Sequence, residues 1–215
     1  MKRALLVLLV FSAAACSRPE PPAPPDLSQK PLWEIEAMAK AEDPGAIAEL
    51  ARRSEAVAYA ETVRLREART AFEAAIASGD ETRISALADA DNPFALHYEA
   101  EKLLGSDQPS VRSQGFAMME AAAEAGSPDA MVWVGYRMAQ GADGYPWKPN
   151  SGLLMVQDAA RTGHAEAMYT LGLIYSEGPM ADPAQAEEWM RKAADAGSAP
   201  AADALRRMGR PAGTP

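Results

Sequence analysis

Three glycines constrain this chain more than anything else in it. Gly126, Gly163 and Gly197 stand 37 and 34 residues apart, and their surroundings repeat with them. Four positions after each comes an alanine (Ala130, Ala167, Ala201), and eight positions after each an apolar residue (Val134, Leu171, Leu205). The ninth position is glycine twice, at Gly135 and Gly172. Counting backwards, the alanine pairs ending at Ala123, Ala160 and Ala194 coincide. So do the small residues Gly115, Gly152 and Ala186, and the large ones Met118, Met155 and Trp189. An earlier copy starts near Asp91, 35 residues before Gly126, with Ala95 and Ala100 in the small positions. A period of this length marks an array of helix–turn–helix units. Each unit is too small to bury its apolar face alone and must stack on its neighbours.

Counted from the alanine that follows a closing glycine, small or apolar residues fall at offsets 0, 1, 4, 5 and 8, which share one face of a helix. In the third copy these are Ala167, Met168, Leu171, Gly172 and Tyr175. Alanine and glycine there let two helix backbones approach, and the longer residues fill the layer between units. Offsets 2, 6, 9 and 10 then point away from the packing. They give His97 and Glu101 in the first copy, Val132, Tyr136 and Gln140 in the second, and Tyr169, Leu173 and Glu177 in the third.

The third copy, residues 165–197, carries Ala167, Leu171, Gly172, Tyr175, Gly178, Ala186, Trp189, Lys192, Ala193, Ala194 and Gly197. This pattern resembles the Sel1-like repeat, a relative of the tetratricopeptide repeat. The second copy keeps the alanines and glycines but has Met138 and Met155 at the aromatic positions. The first has Glu99 and Ala100 in place of Leu–Gly. The resemblance spans about half the chain. It implies an all-α fold, a right-handed α-solenoid of helix–turn–helix repeats with a helical N-terminal cap. It also implies that the protein holds proteins or peptides and has no catalytic residues. In such arrays the outward positions line a concave groove, so the eight residues named above are the expected partner-binding set. Their mixed aromatic and polar character suits an extended peptide or a partner helix.

The chain begins with Lys2 and Arg3, then an apolar run from Ala4 to Phe11, then small residues before Cys16. Residues 1–15 read as a secretory signal peptide, too short to span a bilayer as a mature helix. Cys16 is the only cysteine, and its setting resembles a bacterial lipoprotein box, in which the cysteine is lipidated. Ordinary cleavage leaving a free thiol is the alternative. Ser17 in the next place favours, by the same resemblance, the outer membrane. The expected location is therefore the bacterial cell envelope, periplasm-facing and lipid-anchored. Residues 16–30 form the lipidated end and a proline-rich linker, stiff and extended. Without Lys2 and Arg3 the mature chain has 19 basic residues against 30 acidic ones, a balance near −11. That argues against nucleic acid and against electrostatic attraction to anionic lipid. Membrane contact would come through the lipid alone.

Residues 31–90 read as helical hairpins capping the array, with Pro44–Gly45 as one break and Ser54 as a possible N-cap within the long run that follows. Residues 91–208 are the repeats and 209–215 a disordered tail. Between the helices of the second copy, residues 141–150 form a Gly- and Pro-rich loop bearing Tyr145 and Trp147. Two aromatics there mark a second candidate partner-binding surface, unless Trp147 folds back on its own repeat.

Chemistry is nearly absent. The two histidines, His97 and His164, lack metal-ligand spacing and a nearby nucleophile, and His164 after a helix-ending glycine reads as a surface residue. No phosphate-cradling loop occurs, and Met118, Met131, Met138, Met155 and Met168 sit at core offsets rather than in a copper site. The expectation is a non-enzyme with no cofactor and no metal, a scaffold or adaptor for a protein or peptide partner. Two other readings compete with it. One is a structural lipoprotein that grips peptidoglycan, the other an envelope hydrolase or penicillin-recognising protein. The latter is disfavoured because the cysteine pairs of such relatives are missing.

Overall fold

The computed structural model describes residues 26–177 and 180–209. The signal peptide, Cys16 and the linker to residue 25, Gly178, and the tail from residue 210 lie outside the described residues. Those described residues form ten helices and no strand: α1 (Leu32–Lys40), α2 (Pro44–Ser78), α3 (Glu81–Asp89), α4 (Pro93–Leu104), α5 (Pro109–Glu124), α6 (Pro128–Gln140), α7 (Pro149–Arg161), α8 (Ala165–Ser176), α9 (Pro183–Asp195) and α10 (Ala199–Met208).

The chain divides into two units, at Tyr59 and Ala60. The division falls inside α2, not at residue 90 where the pattern of repeats begins. α2 runs through without a break, and Ser54 is an interior residue rather than a cap. Residues 46–78 contain no glycine or proline, and ion pairs such as Arg52–Glu49 and Arg64–Glu61 brace neighbouring turns.

In the first unit Leu27, Ile35 and Ala46 are buried together, with Met38, Ala39 and Leu50 around them. The Arg53 guanidinium donates to the carbonyl oxygens of Leu27, Ser28 and Lys30 at 3.2, 2.9 and 3.0 Å. Residues 26–30, expected as the end of a free spacer, are thus packed down, because Leu27 has an apolar pocket and the turn's carbonyls have a donor. Hydrogen bonds from Arg52 and Arg53 pull the Glu49 carboxyl down to about 2.

In the second unit the end of α2 shares a core with α3 and α4, built on Ala75, Ile84, Ala95, Leu96 and Ala100. Residues 60–90 therefore close one end of the array, with Phe72 stacked at 6.5 Å from Phe94 and Arg69 over the Phe94 ring at 4.3 Å. The array then proceeds by antiparallel pairs, α4 with α5, α6 with α7 and α8 with α9, and α10 covers the last pair. Six of these helices have proline in the first turn, at Pro93, Pro109, Pro128, Pro149, Pro183 and Pro200, where no backbone donor is lost.

Each repeat starts from the same joint. Gly126, Gly163 and Gly197 have φ of +94°, +86° and +95°, a left-handed turn that favours glycine. The next residue caps the following helix. Ser127, His164 and Ser198 accept from the backbone N–H of Ala130, Ala167 and Ala201. In the first copy Asp91 takes the left-handed turn at φ +56°, and Asn92 caps through Phe94 and Ala95. The repeating alanine is small because it sits in this first turn, fully buried against the preceding unit. Offsets 0, 1, 4, 5 and 8 are buried or half-buried in all three copies.

Candidate interaction cleft

The first helices of three successive repeats, α4, α6 and α8, carry side chains into one open cleft of about 430 Å³. α4 supplies His97 and Glu101, one turn apart. α6 supplies Asp129, Val132, Trp133, Tyr136 and Arg137, and α8 supplies Glu166, Thr170 and Leu173. Each set follows the three- and four-residue spacing of a single helix stripe.

Five of the eight expected groove residues, His97, Glu101, Val132, Tyr136 and Leu173, line this cleft. Val132 is nearly buried at its floor, whereas Leu173 is 36% exposed. The other three stand elsewhere. Gln140 and Glu177 are exposed at the C-terminal ends of α6 and α8, past the cleft. Tyr169 is half-buried against Met190, Ala193 and Ala201 and belongs to the packing of the last repeat. Cys16 lies outside the described residues.

Offsets −1, 3 and 7 were not expected in the lining, and they bring Asp129 and Glu166, Trp133 and Thr170, and Arg137. The signal was available. At about 100° per residue offsets −1 and 3 fall on or beside the side opposite the core, as offsets 2 and 6 do, and offset 7 falls on its flank.

Electrostatics fix several of these groups. Arg137 lies 3.5 Å over the Trp133 ring, donates to the Trp133 carbonyl oxygen at 3.2 Å, and pairs with Asp143 at 2.9 Å. His164 is no free surface residue. Its Nδ1 accepts from Ala167 N–H at 3.2 Å, which places the proton on Nε2, 3.0 Å from Asp129. That hydrogen bond holds the Asp129 carboxyl below its usual range. His97 Nε2 stands 3.7 Å from Glu101.

The loop of residues 141–150 is anchored at one aromatic and open at the other. Tyr145 packs on Phe116 and Trp133, with ring centroids 6.2 and 6.1 Å away. Its hydroxyl is buried without a hydrogen-bond partner among the described residues. Burial first, and the Glu120 carboxylate second, push the phenol well above its ordinary range. Trp147 is 62% exposed, its Cβ close to Gly141 at the end of α6. The two aromatics therefore do not form one surface.

Among the described residues no group of His, Cys, Asp and Glu could hold a metal ion, and no helix is long and apolar enough to cross a membrane.

The Sel1 repeat family model matches residues 101–127 and 165–198. These two stretches are Sel1 repeats. The unmatched hairpin between them, α6 with α7, has the same joint and the same close crossing, despite Met138 and Met155 at the aromatic positions of the Sel1 pattern. A Sel1 repeat protein from Oxalobacter formigenes is similar in structure, with a TM-score of 0.50 at 26% identity, over 60% of this chain and 98% of that one. A protective antigen of uropathogenic Escherichia coli strains, displaying an SLR fold, shares the fold at 22% identity and a TM-score of 0.51. That match covers 59% of this chain and 28% of the antigen. No curated protein matches the chain.

Proposed function

We propose that the protein is an interaction scaffold in the bacterial cell envelope, tethered by a lipid on Cys16, and that the cleft between α4, α6 and α8 holds a segment of a partner protein. Sel1 repeats commonly serve protein–protein contacts. The single observation that carries the reading for this chain is the continuity of the stripe. Three successive helices put aromatic, apolar and charged side chains along one open cleft, with Val132 rooted in the core at its floor. Such a surface combines a hydrophobic centre with polar groups that fix register. The anchor supports the same picture through the sequence alone, with a signal-like start, a lone cysteine and a proline-rich stretch ahead of Leu27.

The test is a crosslinked pull-down of the full chain from its own cells, beside a Tyr136→Ala/Leu173→Ala variant and a Cys16→Ser variant. A defined partner captured by the native chain and lost from the folded double variant supports the scaffold. Metabolic labelling by a fatty-acid probe, abolished by Cys16→Ser, supports the anchor. Recovery of peptidoglycan fragments in place of protein would move the function to wall binding, with Trp147 as the next residue to change.

A further inference from the structure

The charges of the cleft are unbalanced. Glu101, Asp129 and Glu166 present carboxylates to it, against the guanidinium of Arg137 in its lining, the His97 imidazole beside Glu101 and the more distant field of Arg69 on Asp129. That guanidinium is already engaged by Asp143, by the Trp133 carbonyl and by the Trp133 ring. It offers little free positive field to an incoming group. Asp129 accepts from His164, but Glu166 is exposed and Glu101 is nearly two-thirds exposed at 64%.

A second feature points the same way. Thr170 is only 5% exposed, it lines the cleft, and its hydroxyl makes no hydrogen bond among the described residues. The Thr170 side chain is thus held almost entirely in the fold while its hydroxyl keeps no protein partner and is open to a donor entering the cleft. Around it lie apolar surfaces, from Val132, Tyr136 and Leu173. An apolar channel ending among carboxylates and a hydroxyl acceptor is complementary to a long aliphatic stem with a cationic head.

We infer that the cleft receives a lysine or arginine side chain from an extended segment of the partner. The head lies among Glu101, Asp129 and Glu166 and donates to the Thr170 hydroxyl, while the stem packs on Val132, Tyr136 and Leu173. A volume of about 430 Å³ admits one long side chain with its flanking backbone. The formal charge of −9 of the whole chain adds a long-range bias toward basic segments and against acidic ones. The inference rests on the scaffold reading and adds to it the chemistry of the partner.

The probe is a random decapeptide library on beads, incubated with the folded full chain at low and at physiological salt. The bound pool is sequenced and compared with the input. Glu101→Gln/Glu166→Gln removes two charges from exposed positions and keeps their shape, Thr170→Val keeps the volume of the buried site, and Tyr136→Ala removes the apolar wall. The bound pool should be enriched in lysine or arginine at one position. That enrichment should weaken with salt and fall about five- to tenfold in the double glutamine variant. Thr170→Val should lower it as well.

Enrichment in acidic residues, or basic enrichment that survives the double glutamine variant, overturns the inference. Charge-neutral selection that is lost in Tyr136→Ala also overturns it, yet leaves the groove as a docking site. Selection indifferent to every variant overturns both.

Discussion

The Nε2 of His164 lies 3.0 Å from the Asp129 carboxylate, joining the first turns of α8 and α6 across two successive repeats. The same imidazole caps α8 through Nδ1. One side chain therefore fixes both the start of a repeat and its attachment to the previous one. His164→Ala should cost about 1 kcal/mol from the lost cap, with a range of about 0.5–2 kcal/mol. Urea denaturation of the two proteins measures it.

The same pair predicts a pH dependence. The Asp129 carboxyl is lowered in the folded protein, by the His164 hydrogen bond first, with His97 and Arg69 also contributing. A depressed carboxyl contributes stability above its unfolded value, near about 3.9, and loses it as pH falls through the folded value. The stability gap between the native chain and Asp129→Asn should close as pH falls below about 4. A gap that widens on acidification would contradict the pairing.

The two glycine crossings should differ in tolerance. A Cβ on Gly152 would meet the backbone of α6, at the Gly135 carbonyl oxygen and 2.6 Å from Ala139 N. The three atoms nearest a Cβ on Gly172 all belong to the Met190 side chain, Cε at 2.7 Å and Cγ and Sδ at 2.9 Å. Backbone cannot yield without separating the helices, whereas a methionine changes rotamer. Gly152→Ala should destabilise by about 1–3 kcal/mol. Gly172→Ala should come close to neutral, since alanine's helix propensity gains about 1 kcal/mol over glycine. Thermal melts of both variants check the order.

These contrasts show how far the sequence could be read. The spacing of Gly126, Gly163 and Gly197 is enough to place three joints of the array, because a left-handed turn leaves a strong mark in residue choice, whereas the first joint falls on Asp91 and shows only through the period. The caps were less visible. Ser127, His164 and Ser198 occupy one register, but a histidine among serines does not look like a cap until its ring nitrogen is seen on Ala167 N–H. The break expected at Ser54 did not form because serine is tolerated inside a helix that nothing else interrupts. In the cleft the face was legible and its edges were not. Periodicity fixes an angle about the helix axis but says nothing of where along the axis a groove ends, so Gln140 and Glu177 fell beyond it. Tyr169 went to a packing seam because α10 closes over that side of α8.

Tyr136 and Tyr169 therefore separate function from stability. Tyr136→Ala should abolish partner capture by the folded fraction, with some loss of midpoint because the ring also packs on the core of the second repeat. Tyr169→Ala should lower the midpoint by removing a ring packed on Met190, Ala193 and Ala201, and should leave capture by the folded fraction intact. Calorimetry and pull-down on the same preparations distinguish them.

Arg137 should act on the loop of residues 141–150. Arg137→Ala removes the Asp143 pair and the contact over Trp133, worth about 1 kcal/mol together. Amide hydrogen exchange at Tyr145, whose N–H donates to the Ala142 carbonyl oxygen at 3.0 Å, should quicken while exchange in α8 is unaffected.

The central claim, that the cleft between α4, α6 and α8 is where a partner sits, is tested most directly by site-specific photocrosslinking in cells. A photoreactive residue is placed at Leu173, in the cleft, or at Leu154, exposed on α7 outside it. The account predicts one defined adduct from position 173, abolished by Tyr136→Ala, and none from position 154. The same adduct from both positions, or an adduct from 154 alone, would contradict it.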